Sequence, residues 1–170
     1  NVKNRFVSAS TLQYVTATMQ TKILTWLGRE FVEISGEAKA GASVESATAE
    51  LFERFEAALK SHGLSLDNTV RIRVYGRDRQ GRTDATMARS KILRGSRRAA
   101  SSSFISPGWF DSNGSGGLEL SALRPANAAT QRKPVDFEPA RNYLCYLEYD
   151  SLLFFSGFTS EAATLAQQVK

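Results

Sequence analysis

The sequence predicts a two-layer α+β domain in which helices pack on one face of a β-sheet. Residues 44–60 carry apolar side chains at three- and four-residue spacing, which is typical of a helix with one buried face. Residues 69–76, TVRIRVYG, alternate apolar and polar side chains, which indicates a half-buried strand. From residue 12 to residue 123 the predicted order is strand, strand, helix, strand, helix, strand, strand. Such strand–helix–strand units favour a sheet with its helices on one face.

The first strands and the first helix have local signals at their ends. Residues 12–27 favour strand without a clear period, and the next strand, REFVEISG, ends at Gly36. Ser43 is the predicted N-cap of the helix, because its hydroxyl can accept a hydrogen bond from a backbone N–H of the first turn. Gly63 is predicted to follow the helix in the left-handed conformation that glycine tolerates.

The second half of the domain is predicted to hold a weaker helix and two more strands. Thr83 or Asp84 would cap this helix, and Gly95 would end it. Residues 99–106, AASSSFIS, and 117–123, GLELSAL, have the composition of strands. The segment between them is rich in glycine, serine and asparagine, which predicts that the two strands pair as a hairpin.

The chain changes character after residue 123, which gives three predicted regions: a domain over residues 1–123, a linker over 124–142 and a tail over 143–170. The linker contains three of the four prolines. The tail resembles the region from Arg29, because each has a strand that ends in Ser-Gly, a short polar link and an alanine-rich helix. We therefore expect a hairpin and a helix that begin a second repeat, which either continues beyond Lys170 or docks on a partner subunit. The alternative is a C-terminal extension that packs on its own domain.

Composition and charge restrict the function classes. The single cysteine, Cys145, and the single histidine, His62, exclude an intrachain disulfide and metal sites rich in these residues. The net charge of +5 permits an anionic small molecule or a nucleic acid. Aromatic residues are sparse among the basic residues 71–98, so a surface that stacks nucleic-acid bases is not expected. No apolar run approaches the roughly 18 residues of a membrane span, and a cytoplasmic protein is expected.

Two adjacent arginines, Arg97 and Arg98, precede the predicted strand AASSSFIS. Because neighbouring side chains of a strand point to opposite faces, one guanidinium would point inward, where it needs an anionic partner. Glu119, between Leu118 and Leu120, can share a face with Arg98 if the predicted hairpin forms. Such a pair could bind a substrate carboxylate and handle its protons or water, or it could be a structural ion pair on a solvated sheet face.

The order of these segments resembles the Rid family (reactive intermediate deaminases, also called YjgF). The resemblance covers residues 30–123 and rests on FVEISG, VESATAELFERFEAALKSHGL, TVRIRVYG, TDATMARSKIL, SRRAASS and GGLELSAL. It implies a chorismate-mutase-like fold that assembles as a trimer, or as a pseudo-trimer built from repeats, with clefts between subunits. It also implies hydrolysis of enamines and imines, such as 2-aminoacrylate, to keto acids and ammonia without a metal or cofactor.

The resemblance further implies roles for individual residues. Arg98 matches the arginine that binds the substrate carboxylate, which makes it the inward member of the pair and Arg97 the outward one. Glu119 matches the glutamate that positions water. Ser35 and Gly36 match the strand end that lines the cleft.

Two further positions, Asp84 and Tyr14, match residues of the family's substrate-binding cleft less closely.

The sequence also departs from the family pattern: residues 96–99 read Ser-Arg-Arg-Ala where Pro-Ala-Arg-Ser is usual, and Ala100 replaces a small polar or thiol residue. These departures keep two alternatives open. One is a non-catalytic module of the same fold that binds small carboxylates or assembles with a partner. The weaker one is an endoribonuclease-like activity, which would be strongly salt-dependent.

Overall fold

The computed structural model describes residues 19–157. In this range two helices cover one face of a five-stranded sheet, and a three-stranded sheet follows, so the predicted two-layer α+β architecture is confirmed. In chain order the strands and α-helices are β1 (Met19–Trp26), β2 (Arg29–Glu37), α1 (Val44–Ser61), β3 (Thr69–Gly76), α2 (Arg79–Ile92), β4 (Ala100–Ile105), β5 (Gly116–Arg124), β6 (Lys133–Val135), β7 (Tyr146–Tyr149) and β8 (Leu152–Phe155).

The large sheet has the strand order β1-β2-β5-β3-β4. β4 pairs with β3 in parallel, whereas β5 lies between β2 and β3 and pairs with both in antiparallel orientation. The predicted hairpin of residues 99–106 with residues 117–123 is therefore wrong. The reason lies in burial: β5 is buried along most of its length and needs neighbours on both sides, whereas the exposed second half of β4 suits an edge.

Helix α1 packs its apolar stripe on the sheet as predicted. Ser43 is its N-cap, and its Oγ accepts a hydrogen bond of 3.2 Å from the backbone N–H of Ser46. Gly63 follows with φ of +67°, the left-handed conformation expected there. Gly36 lies under the helix, where an added Cβ would be 3.0 Å from Leu51 Cδ1. The core residues that α1 contributes are Leu51, Phe52, Phe55 and Leu59.

Helix α2 begins earlier than predicted. Its N-cap is Asp78, whose Oδ1 accepts a hydrogen bond of 2.7 Å from the N–H of Gly81. The predicted caps lie inside the helix, where Thr83 donates its hydroxyl to the carbonyl of Arg79 at 2.9 Å. The apolar periodicity that predicted the helix is weak in its first turn, so the sequence pattern missed that turn.

The small sheet has the order β6-β7-β8 and lies against the large sheet. Its strand β6 falls within residues 124–142, which were expected to be only a linker. β7 and β8 form an antiparallel hairpin, as expected for the start of the tail. The two sheets share a second apolar core, which consists of Phe31, Val70 and Leu123 from the large sheet and Leu144, Leu147 and Tyr149 from the tail. The helix expected after residue 157 lies outside the described residues, so the second repeat stays a prediction.

The side chain of Arg132 joins the two parts of the structure. Arg132 directly precedes β6, and its guanidinium lies 5.5 Å from the centre of the Tyr149 ring. It donates hydrogen bonds to four backbone carbonyls of the first region, at 2.5 to 3.2 Å; these belong to Asp67, Thr69, Ser96 and Arg98. A planar guanidinium with five N–H donors can satisfy this many acceptors at once.

Candidate functional site

Glu119 lies on the open face of the large sheet, which is the face that α1 and α2 do not cover. Its strand is the central one, and the register sets Glu119 opposite Ser35 of β2 and Arg73 of β3. The carboxylate accepts hydrogen bonds from Arg73 Nη1 at 3.0 Å, Tyr75 Oη at 2.8 Å and Trp109 Nε1 at 3.4 Å. These four residues (Glu119, Arg73, Tyr75 and Trp109) form the Glu119 cluster.

Aromatic rings form one wall of the cluster. The Trp109 ring stacks on the Tyr75 ring with centroids 4.4 Å apart and planes 6° apart, and Phe104 continues the stack at 5.6 Å from Tyr75. Trp109 lies directly over Gly117, where an added Cβ would be 2.1 Å from the indole Cζ3. Glycine at position 117 therefore lets the indole lie close to the sheet and reach Glu119.

The loop that carries Trp109 is fixed at its base. The buried carboxylate of Glu37 accepts hydrogen bonds from the backbone N–H groups of Asp111 at 2.5 Å and Ser112 at 3.1 Å. Arg77 donates to the carbonyls of Ser112 at 2.5 Å and Gly114 at 3.1 Å. These contacts fix the segment between β4 and β5, which the sequence predicted to be the turn of a hairpin, and they position the Trp109 indole.

Charge and burial set the chemistry of the open face. Burial, together with the hydrogen bond to Glu119, raises the pKa of Tyr75 to about 12, so its hydroxyl is protonated at neutral pH and donates to the carboxylate. Burial also raises the pKa of Glu33, which accepts a hydrogen bond of 2.8 Å from Ser121 on the same face. Arg73 is 40% exposed, and among the described residues it bonds only to Glu119, so several of its N–H donors remain for a ligand.

The structure does not bring Arg98 to Glu119. The Arg98 guanidinium makes a two-pronged ion pair with Asp136, with N–O distances of 2.6 and 3.1 Å. Arg97 makes a similar pair with Asp67, at 2.8 and 3.2 Å. Arg98 therefore has the anionic partner that an arginine requires here, but this partner is a protein carboxylate.

The strand pairing explains the separation. The residue of β4 that shares a row with Glu119 is Ser102, which is two strands away from it. Arg98 comes four residues earlier, or about 13 Å along the strand direction at the usual rise per residue. The arginine beside Glu119 is instead Arg73, which sequence reasoning missed. The sequence contained evidence for this position, because Arg73 and Tyr75 alternate with buried residues in TVRIRVYG and so share one face of the strand.

The other expected site residues lie in different places. Ser35 is next to Glu119 on the open face, whereas Gly36 faces α1. Asp84 lies on α2, across the sheet from Glu119, and accepts a hydrogen bond of 2.8 Å from Gln80. Tyr14 falls outside the described residues. Within residues 19–157, no cluster of three or more histidine, cysteine or acidic side chains could hold a metal ion, and no helix is long and apolar enough to cross a bilayer.

Comparison with known proteins identifies the fold. No family model matches the sequence, and no curated protein matches it. Among solved structures, yeast Mmf1 is 18% identical with a TM-score of 0.51, over 72% of this chain and 96% of its own. A Thermotoga maritima protein described as a candidate endoribonuclease is 18% identical with a TM-score of 0.50, over 73% and 100%. A YjgF-family protein of Neisseria meningitidis is 12% identical with a TM-score of 0.50, over 57% and 82%. The chain therefore has the fold of the YjgF family, as the order of its sequence segments predicts.

Proposed function

We propose that this chain hydrolyses small imines and enamines that carry a carboxylate, yielding keto acids and ammonia, and that the reaction takes place at the Glu119 cluster. The observation that carries the proposal is the contact between Glu119, 29% exposed, and the guanidinium of Arg73, 40% exposed. A carboxylate and a cation with unused donors lie side by side on an accessible sheet face. The family that the sequence resembles includes imine and enamine deaminases, and the fold of this chain agrees with the proposal.

The chemistry assigns one role to each group. Arg73 binds the substrate carboxylate through its remaining N–H donors. Glu119 has about four acceptor positions, of which three are filled by the cluster, so one remains to hold a water molecule. That water attacks the imine carbon and one of its protons moves to nitrogen, which gives a carbinolamine. Its second proton then moves to nitrogen as the C–N bond breaks, the C=O bond forms and ammonia leaves. An enamine first takes a proton on carbon and loses one from nitrogen, which makes it the imine, so no oxidant or reductant is consumed.

The test is keto acid release from enzymatically generated 2-aminoacrylate and from larger imino acids. Glu119→Gln keeps the size of the side chain but removes its charge, and we expect kcat/KM to fall by about 100-fold or more. Arg73→Met should raise KM, because it removes the group that binds the carboxylate. Arg97→Met is the matched control, since that arginine is held by an exposed acid away from the cluster, and it should keep the wild-type rate.

Two results would contradict the proposal. If the wild-type protein does not accelerate hydrolysis of any imine over buffer, the chain is not such a hydrolase. If Arg98→Met abolishes the activity while Arg73→Met does not, the substrate carboxylate binds at Arg98, and the role given to Arg73 is wrong.

A second candidate is a non-catalytic module that binds small carboxylates. The pairing of Arg98 with Asp136 favours it over the hydrolase, because the arginine that the resemblance assigns to catalysis already has a protein partner, while Arg73 keeps donors that can bind a carboxylate. Calorimetry with a keto acid separates the two candidates. Binding that Arg73→Met removes, without turnover of any imine, would support the binding module.

A further inference from the structure

A cavity lies at the β4 edge of the large sheet and has a volume of about 620 Å³. Helix α2 supplies one wall through Thr86, Met87 and Arg89, and β4 supplies another through Ser101 and Phe104. We call it the Arg89 cavity. Its volume lies within the range of small-molecule pockets.

Arg89 is the most buried arginine of the described residues, at 6% exposure. Its Nη1 donates to Ser101 Oγ at 3.2 Å, while its buried Nε has no hydrogen-bond partner. No carboxylate of residues 19–157 pairs with it. Burial without a compensating charge lowers the pKa of the Arg89 guanidinium.

The contrast with the other arginines is informative. Arg73, Arg97, Arg98 and Arg124 are all more exposed, and each pairs with a carboxylate. Arg132 also lacks a carboxylate partner, but it donates to four backbone carbonyls, whereas Arg89 donates only to Ser101 among the described residues. Burying an unpaired charge is costly, so such a group implies that an anion enters the cavity.

The lining indicates what kind of anion fits. Its polar groups are cationic or neutral, and they include a second arginine, Arg82, and the hydroxyl of Ser103. No aspartate or glutamate of residues 19–157 lines the cavity. Apolar groups, from Val74, Met87 and Phe104, form the rest of the wall. One buried planar guanidinium matches one carboxylate, and the apolar wall suits a hydrocarbon or aromatic body.

We propose that the Arg89 cavity binds a small organic monocarboxylate with an apolar body, whose carboxylate pairs with Arg89. This site is distinct from the Glu119 cluster. Ser101 is in register with the buried Ile72, so Arg89 and Ser101 meet on the helix-covered side of the sheet, whereas Glu119 lies on the open face. The proposal therefore does not depend on the hydrolase activity.

The experiment uses the full 170-residue chain with butyrate, benzoate, inorganic phosphate and chloride at matched ionic strength. A ligand that binds only the folded state raises the melting temperature as its concentration rises above the dissociation constant. We expect benzoate or butyrate to raise it and phosphate and chloride not to. Calorimetry should show at least a tenfold loss of carboxylate affinity in Arg89→Met. The control Arg79→Met, an exposed arginine of the same helix, should keep wild-type affinity.

Further variants separate ligand binding from a structural role. In chloride, Arg89→Met should melt at the wild-type temperature or above it, because the variant removes a buried unpaired charge. If Arg89→Met melts at a lower temperature, Ser101→Ala becomes the deciding variant, because it keeps the charge of Arg89 and removes a hydroxyl at the site. A threefold or larger loss of carboxylate affinity in Ser101→Ala supports the proposal. Carboxylate binding that persists in Arg73→Met would separate this site from the Glu119 cluster, because Arg73 is the group of that cluster proposed to bind a carboxylate.

Several outcomes would overturn the assignment. Melting temperatures that respond no more to carboxylates than to chloride would show that the cavity is not a carboxylate site. An equal response to phosphate would show that the ligand class is wrong. Unchanged binding in both Arg89→Met and Ser101→Ala, or loss of all binding in Arg73→Met, would place the carboxylate elsewhere.

Discussion

Tyr75 shows how one side chain can serve two neighbours at once. Its ring supports the indole of Trp109, and its hydroxyl donates to Glu119. A phenolate at this position would lose the hydrogen bond and would face the carboxylate as a like charge. The protonated form is therefore favoured in the folded state, and this has a measurable consequence at high pH.

We predict that the stability of the protein falls as the pH rises from 10 to about 12, because Tyr75 has its ordinary pKa of 10.0 when unfolded and about 12 when folded. The stabilising contribution is complete below pH 10 and is lost as the folded tyrosine ionises. Urea unfolding across this range measures it, with absorbance near 295 nm to follow ionisation.

Tyr75→Phe is the matched variant, and it should show a shallower loss of stability over the same interval. Part of the loss should remain, because burial also raises the pKa of Tyr149. Equal slopes for the variant and the wild type would contradict the assignment to Tyr75.

At the scale of elements, local signals and long-range pairing were predictable to different degrees. The ends of α1 followed from Ser43 and Gly63, because caps depend on residues within a few positions of each other. The partner of β4 could not be derived in this way, because a parallel pairing is set by the whole crossover through α2. The predicted site depended on this strand pairing. The sequence correctly placed Glu119 on the open face, but the predicted hairpin set it beside Arg98, whereas the structure sets it beside Arg73.

The cap of α2 gives a test at this scale. Asp78→Ala removes the acceptor for the N–H of Gly81, and we expect the free energy of unfolding to fall by about 1 kcal/mol. Thr83→Ala tests the position expected from sequence. It should cost little, because Thr83 lies inside the helix, where alanine is a better helix former. A larger loss for Thr83→Ala than for Asp78→Ala, measured by denaturant unfolding, would place the cap where the sequence pattern put it.

At the scale of the whole molecule, the segment after residue 124 is part of the described fold. It contributes a strand, a hairpin and half of the second apolar core. The second repeat, the homo-oligomer and the cytoplasmic location stay predictions. Sedimentation of the full chain tests the oligomer: a monomer at micromolar concentration would contradict the trimer or pseudo-trimer expected from the resemblance.

The four carbonyl contacts of Arg132 have a consequence for where the folding unit ends. A fragment that stops at residue 124 would leave four acceptors of residues 67–98 without their cation, and would expose Phe31, Val70 and Leu123 to water. We expect such a fragment to unfold at a lower denaturant concentration than the full chain, although it contains the whole five-stranded sheet. Native-state hydrogen exchange should reflect this, because the amides of β3 and of β7 would open together in a single cooperative event.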